Sequence, residues 1–324
     1  MDVAVQLAGM TADRLLVAAR EMEELGFSSI YVPDHFADEP PGTSTLSDTT
    51  PMPEALTALA GIAAATSRVR IGGHVLCNLF RHPAVTAQAM ATIDQISGGR
   101  ALLGLGAGWT RNEFDMTGIP YPDIKPRLRM LDEALQVITS LWSQPRTTFR
   151  GEFYELVDAF LTVQPVKQSP LPVLLGGSGK GLLRIAARHA DIVNVIVDLG
   201  SAGTVRIEEV AKLTEEAYRA KLDFVRSEAQ KHGREIALSS TLFVLAITDD
   251  EAEAKATLEG FAAGFGLDPG LVGTLPMALI GTPGQCIEEL QRREREWGIS
   301  HLVLSAAGGP EMVQRFGRDV LPKL

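Results

Sequence analysis

The sequence predicts a (β/α)8 TIM barrel with insertions, carried by one domain over residues 1–324. Three observations lead there. Eight short apolar runs recur along the chain, and nearly all are followed by apolar residues at helical spacing, an alternation that builds a parallel sheet covered by helices. The length suits one large core or two smaller ones, and no linker or internal repeat divides it. The fourth run opens into Gly104-Leu105-Gly106-Ala107-Gly108, followed by Trp109 and Asn112. Glycines at the carboxyl end of a strand let the backbone approach a ligand closely, and parallel α/β folds bind their ligands at that end. A bend that only reverses the chain is the alternative for these glycines. A doubly wound sheet is the alternative for the alternation.

Taken in order, Val3–Leu7 is the first strand. Thr11 is placed to cap a helix whose Leu15, Ala19, Met22 and Leu25 form an apolar stripe, with Gly26 as its stop. Ser29–Val32 is the second strand, leading into Asp34-His35. Residues Ala37 to Pro53 are rich in Pro, Ser, Thr and Asp and form a long loop of the kind that more often serves function than connection. A helix is expected over Glu54–Thr66 and a third strand over Arg68–Val75, whose Gly72 and Gly73 suggest a bulge. Pro83 opens the next helix at its favoured first-turn position, and Arg100–Leu105 is the fourth strand. A polar segment reaches Lys125, followed by a helix with the stripe Leu128, Leu131, Leu135, Ile138, Leu141. Thr147–Gln164 alternates like a β-hairpin insertion around Gly151. Strands follow at Pro172–Leu175, Ile192–Val197, Ile236–Ile247 and His301–Ser305. Helices are expected to His189, over Val205–His232, Asp249–Phe265 and Pro283–Trp297, with a loop-rich insertion at Gly266–Thr282 and a closing helix at the end.

Composition narrows the function. Hydrophobic residues make up 45% of the chain and the formal net charge is -10. With no basic run to offset that charge, a nucleic-acid partner is not expected. Two cysteines, Cys77 and Cys286, make no disulfide framework and fit a cytoplasmic protein. The start MDVAVQLAG lacks the basic and apolar regions of a signal peptide, and the apolar Ala55–Ala65 is too short to span a bilayer, so no membrane partner is expected.

The motifs have bland readings beside the chemical ones. Gly104-x-Gly106-x-Gly108 is not a dinucleotide fingerprint, because its third glycine comes one residue early and its strand is the fourth. Gly176-Gly177-Ser178-Gly179-Lys180 is not a Walker A loop, yet successive N–H groups at a helix start suit a phosphate; a plain strand-to-helix turn is the alternative. Six histidines show no metal-ligand spacing, so no metal site is expected. Asp34-His35 stands where the second strand ends on the catalytic face, though an isolated pair in a loop is often incidental. Trp109 fits either a core position or a lid over an aromatic ligand.

Together these residues resemble the luciferase-like monooxygenase superfamily, and within it the coenzyme F420-dependent oxidoreductases. The matches run in order through Leu25-Gly26-Phe27, Val32-Pro33-Asp34-His35, Arg81-His82-Pro83-Ala84, Asp94-Gln95-Ile96-Ser97-Gly98-Gly99-Arg100, Gly104 to Trp109, Pro172 to Gly177, Ala190-Asp191 and Ile280-Gly281-Thr282-Pro283. The resemblance implies a barrel that binds a deazaflavin or flavin at its strand ends. Asp34, His35, His74, Val75, Cys77, Ala107, Gly108, Trp109 and Asn112 would then surround the ring, and Gly176, Gly177, Ser178 and Gly179 would hold the phosphate. It also implies a non-proline cis peptide at His74–Val75. An ordinary trans strand end is the alternative.

The expected function is hydride transfer between coenzyme F420 and a small organic substrate. His35 would be the catalytic proton donor or acceptor, and the cofactor's acidic tail would run along Lys180 and Arg184. The sugar-phosphate dehydrogenases of the family carry a catalytic Glu where this chain has Trp109, which speaks against glucose 6-phosphate. A reduced-FMN monooxygenase, with FMN in place of F420, and a non-catalytic flavin-binding barrel are the alternatives. A homodimer is expected.

Overall fold

In the computed structural model, residues 1–39, 45–166, 170–196, 212, 214–305 and 309–324 are described. The first half of the chain lays down strand and helix by turns: β1 (Asp2–Gln6), α1 (Ala12–Glu24), β2 (Ser29–Val32), α2 (Ala55–Ala65), β3 (Arg70–Gly73), β4 (Leu76–Cys77), α3 (Pro83–Ser97) and β5 (Ala101–Gly106). Next come α4 (Arg111–Thr117), α5 (Ile124–Ser143), the strands β6 (Thr147–Arg150) and β7 (Glu155–Ala159), β8 (Val173–Gly177), α6 (Lys180–His189) and β9 (Ile192–Val195). The later strands are β10 (Ala237–Leu242), β11 (Val244–Ile247), β12 (Ala278–Gly281) and β13 (Ile299–Ser305).

One sheet runs β3-β2-β1-β13-β10-β9-β8-β5-β4, and a further β3–β5 pairing closes it. All its pairings are parallel. Since β3 and β4 are two pieces of one interrupted strand position, the sheet is a closed eight-stranded barrel with helices around it. The expected fold class holds, and the doubly wound alternative falls with the closure.

Local sequence explains the frame. Leu15, Ala19 and Met22 bury one face of α1, which ends in Leu25 and a left-handed Gly26 (φ +93°). Thr11 does stand at the N-cap position, but its side chain makes no cap hydrogen bond there. Pro83 opens α3, and Gly98 (φ +68°) and Gly99 (φ +87°) turn the chain into β5. Arg100 then binds Ala63 O, Thr66 O and Val69 O at 2.7–2.9 Å, tying the end of α2 to the start of β5. Buried Asp94 accepts from Ala101 N and Val166 N. Charged residues of the family-like motif thus satisfy backbone groups that would otherwise be stranded under the barrel.

Several expected elements are redrawn. The polar segment before α5 contains the helix α4. The run Ile236–Ile247 is two strands, because Phe243 N and Val244 N both turn to Met277 O and β11 leaves the barrel to pair with β12. The expected loop-rich insertion Gly266–Thr282 therefore holds a helix, Pro269–Thr274, and β12. The helix from Pro283 is α-helical to Arg292 and finishes in a π turn, Arg293–Trp297. The hairpin insertion is present as antiparallel β6–β7. Val197 and residues 205–211 and 213 of the expected strand and helix lie outside the described residues; Glu215–Lys231 is helical. No helix among the described residues is long and apolar enough to cross a membrane.

Candidate active site

The carboxyl ends of β2 to β8 gather most of the expected site residues around a break in one strand. The His74–Val75 peptide is cis, as the resemblance implied, and it separates β3 from β4. Val75 fills the space left by glycines on the neighbouring strands. A Cβ at Gly106 would lie 2.6 Å from Val75 Cγ2, one at Gly176 3.6 Å from Val75 Cγ1, and one at Gly104 would overlap the carbonyl of Gly73. The glycines of the β5 bend thus admit the broken strand into the barrel, with half-buried Val75 as a small apolar floor over Gly104, Gly106 and Gly176. Gly108 needs its glycine twice over: φ is +76°, and a Cβ would sit 2.9 Å from Cys77 Sγ. Ala107 and Cys77 are buried beside it, and burial pushes the Cys77 thiol up to about 12.

Beneath that floor a polar seam crosses the barrel interior beside an apolar cluster of Ala4, Leu102, Leu174, Ile192 and Val303. His74 is buried and stacks on Tyr31 at 5.6 Å, and its Nε2 has no hydrogen-bond partner among the described residues. Burial holds His74 down to about 4. Tyr31 Oη meets His301 Nε2 at 3.1 Å, and His301 Nδ1 meets Ser239 Oγ at 2.8 Å. Asn194 donates to Ser239 Oγ at 2.8 Å and accepts from Thr241 at 3.1 Å. This chain links β2, β13, β10 and β9 across the barrel.

The front wall of the mouth is built by the loop after β2. Asp34 is buried and both its oxygens are engaged: Oδ2 accepts from Cys77 N at 2.8 Å and from Arg81 at 2.6 Å, and Oδ1 accepts from Arg81 at 2.9 Å. Arg81 also pairs with Glu54. Asp34 therefore locks β2 to β4 instead of offering a free oxygen to a ring. His35 stands next to it, its side chain 24% exposed, with Nδ1 2.8 Å from Glu113 Oε2. Trp109 meets the His35 ring edge-on at 5.8 Å and is 47% exposed, so it belongs to the wall and not to the core. Asn112 donates to Glu39 at 3.3 Å across the same seam.

Two residues that the sequence did not single out hold this wall. Glu113, 1% exposed, also accepts from Phe36 N at 2.6 Å and Ala37 N at 3.2 Å. Arg127 of α5 donates to Gly108 O at 2.5 Å, and its guanidinium lies 4.0 Å over the Tyr121 ring, while Tyr121 donates to Trp109 O at 2.9 Å. In the sequence Glu113 reads as a surface acid in the first turn of a short helix, and Arg127 as one cation in a charged helix start. Their only signal is proximity to Asn112 and to the apolar stripe of α5.

On the far side, β8 ends at Gly177 and α6 begins after Gly179, which caps it without any side-chain hydrogen bond and with no acid in the first turn. Gly179 and Lys180 are exposed and Ser178 is half-buried. A Cβ at Gly177 would stand 2.7 Å from Leu182 Cδ2. The open N–H groups of that first turn suit a phosphate. A flat ring has a seat of matching chemistry on Val75 among the glycines, so the residues fit a flavin-like group with a phosphate. Arg184 is turned aside, 5.4 Å over the Phe224 ring and 3.8 Å from Glu228, and Lys180 lies 5.7 Å from the same ring. Among the described residues no group of three or more His, Cys, Asp or Glu could hold a metal ion.

Residues 2–274 match the family model of the luciferase-like monooxygenases. An F420-dependent glucose-6-phosphate dehydrogenase of Amycolatopsis mediterranei is 28% identical over 334 residues, covering 96% of this chain and 94% of that protein. One of Nakamurella multipartita is 30% identical, covering 96% and 91%. An F420-dependent secondary alcohol dehydrogenase solved with an F420–acetone adduct superposes with a TM-score of 0.76 at 20% identity, covering 100% of this chain and 99% of that one. The F420-dependent tetrahydromethanopterin reductase of Methanopyrus kandleri gives 0.75 at 19% identity, covering 99% and 98%.

Proposed function

This chain belongs to the luciferase-like monooxygenase family, and from that premise we propose that it moves a hydride between coenzyme F420 and a small organic substrate at the mouth of the barrel. It is an F420-dependent oxidoreductase. F420 supplies the hydride chemistry when bound. The protein's part is to seat the ring on Val75, with His74 beneath that floor and Cys77, Ala107, Gly108 and Asn112 around the ring. Gly176, Gly177, Ser178 and Gly179 receive the phosphate, and His35 holds or moves a proton at Nε2. Asp34 acts on the site through Arg81 and Cys77 N.

The observation that carries this reading is the floor itself: a broken strand whose Val75 lies over three glycines of β5 and β8, with the His35 imidazole and the Trp109 indole meeting each other after β2 and β5. The substrate is not glucose 6-phosphate on this reading. Trp109 is a half-exposed indole where the family's sugar-phosphate dehydrogenases place a catalytic carboxylate, and an indole cannot exchange a proton in that role. It favours a flat or apolar substrate beside His35.

Titration of the purified chain with F420 and with FMN, each oxidised and reduced, tests the cofactor; F420 is expected to bind and FMN to bind more weakly. In the same experiment His35→Ala keeps F420 affinity within a few-fold and lowers turnover by ~10²–10⁴, the usual span of general acid–base catalysis. Tight FMN binding with no affinity for F420 overturns the reading.

A further inference from the structure

We propose that Glu113 is a positioning residue: it holds neutral His35 as the Nδ1–H tautomer, so that the Nε2 lone pair faces the mouth as a proton acceptor. The inference rests on the reading above only for what is bound there. The geometry of the pair stands by itself.

A neutral imidazole has one donor and one acceptor nitrogen, and the bond made by one nitrogen decides the role of the other. Glu113 lies 1% exposed, and its Oε2 is 2.8 Å from His35 Nδ1. An ionised carboxylate only accepts. Oε1 takes the N–H groups of Phe36 and Ala37, which can only donate, so that oxygen is an acceptor. Beside the ionised carboxylate of the proposal, Nδ1 carries the hydrogen and Nε2 is left as the acceptor. Nε2 makes no hydrogen bond among the described residues, and the His35 side chain is 24% exposed where Glu113 is buried.

The same carboxylate sets where the ring stands. Phe36 and Ala37 follow His35 directly, so three consecutive residues of the loop after β2 are anchored on one side chain of α4. Thr117 Oγ1 in turn donates to Glu113 O at 2.7 Å, within that helix. The ring has little freedom to turn, because Trp109 closes its other side at 5.8 Å. A donor on a bound molecule would meet a lone pair already aimed at it, which is the preorganisation that proton transfer requires.

Glu113→Gln separates tautomer from shape. A glutamine amide oxygen still accepts from Phe36 N and Ala37 N, but its NH₂ then faces Nδ1, which must turn acceptor, and the hydrogen moves to Nε2. Two readouts need no substrate. In the full chain without cofactor, at a pH where His35 is neutral, long-range ¹⁵N imidazole spectra should show a protonated Nδ1 and a bare Nε2 in the wild type, and the reverse in Glu113→Gln. Diethyl pyrocarbonate acylates an accessible bare ring nitrogen, so mass spectrometry should show His35 modified at least ~10-fold more slowly in Glu113→Gln, the scale of one charge-assisted hydrogen bond. Modification of His82, His189 and His232 serves as the internal control. Glu113→Asp keeps the acceptor one methylene further back and should restore the wild-type tautomer; it decides the matter if Glu113→Gln does not fold.

An Nε2–H tautomer in the wild type, or an unchanged tautomer and unchanged acylation in Glu113→Gln, overturns the proposal. F420 affinity is measured alongside, so that damage to the wall is told apart from a change of tautomer. Absence of F420 binding by the wild type would sink the functional reading above while leaving the tautomer result to stand or fall separately.

Discussion

At the scale of single residues the site is governed by what cannot be there. Gly104 has no room for a side chain, since a Cβ would collide with backbone and not with a flexible tip. Gly104→Ala is therefore expected to destabilise the protein by ~3 kcal/mol or more, beyond the ordinary range for an added methyl, and to abolish F420 binding by displacing β3 and β4 together. Gly179→Ala meets nothing within 4 Å and is the matched control; equal urea midpoints for the two variants would refute the account. Glycines of this kind are legible in a sequence, because their spacing at a strand end is unusual. His35 and Trp109 were legible for a similar reason: both follow apolar strands. Glu113 and Arg127 were not, because nothing in a linear pattern separates a buried acid or guanidinium from a solvated one. Their burial arises only when the loop after β2 folds onto α4 and α5. Asp34 was found as a position, but its binding to Arg81 and Cys77 N is a contact between three elements that no spacing encodes.

At the scale of elements, the first half of the chain was readable and the second half less so. Through β5 the strands β1, β2 and β5 are compact apolar runs with a glycine or proline at or just past their ends, and α1 has a one-sided apolar stripe. From β10 onward the apolar run is continuous while the chain turns out of the barrel at Phe243, so composition alone joins two strands of different sheets. The device that holds the extra ribbon is Arg293, 1% exposed at the start of the π turn. It donates to Pro276 O at 2.8 Å and Ala278 O at 2.9 Å, and it pairs with Glu289 at 2.7 Å. Burial of a guanidinium is tolerable only with such partners. Arg293→Met leaves those carbonyls without their donor, while Glu289 keeps Arg292, and a loss of ~1–3 kcal/mol for each stranded carbonyl is expected. The measurement is chemical unfolding together with amide exchange. Fast exchange in β11 and β12 with a protected β10 would place the loss in the ribbon, whereas uniform loss across the barrel would contradict this assignment.

For the whole molecule, the histidines buried inside the barrel set how stability depends on pH. His74 and His301 belong to strands on opposite sides of β1 and β2, and both are buried. Burial holds His74 near 4; for His301, burial first and then the charges of His74 and Arg70 hold it near 3. Burial lowers His189 as well. In the unfolded chain a histidine titrates near 6.5. Between those values the unfolded chain binds protons that the folded chain refuses, so stability is full above about pH 6.5 and falls as pH drops. Each buried histidine contributes a slope of about 1.4 kcal/mol per pH unit in that window, since one pKa unit corresponds to that much free energy. Urea midpoints measured from pH 7.5 to 4.5 should accordingly decline steadily below about pH 6.5, before carboxylates begin to titrate near their ordinary values. His74→Gln should reduce the slope by about one histidine's share even if it lowers stability overall, because the slope counts protons and not contacts. A flat profile down to pH 4.5 would mean that both rings reach solvent, and the stack of His74 on Tyr31 beneath the Val75 floor would then not be closed.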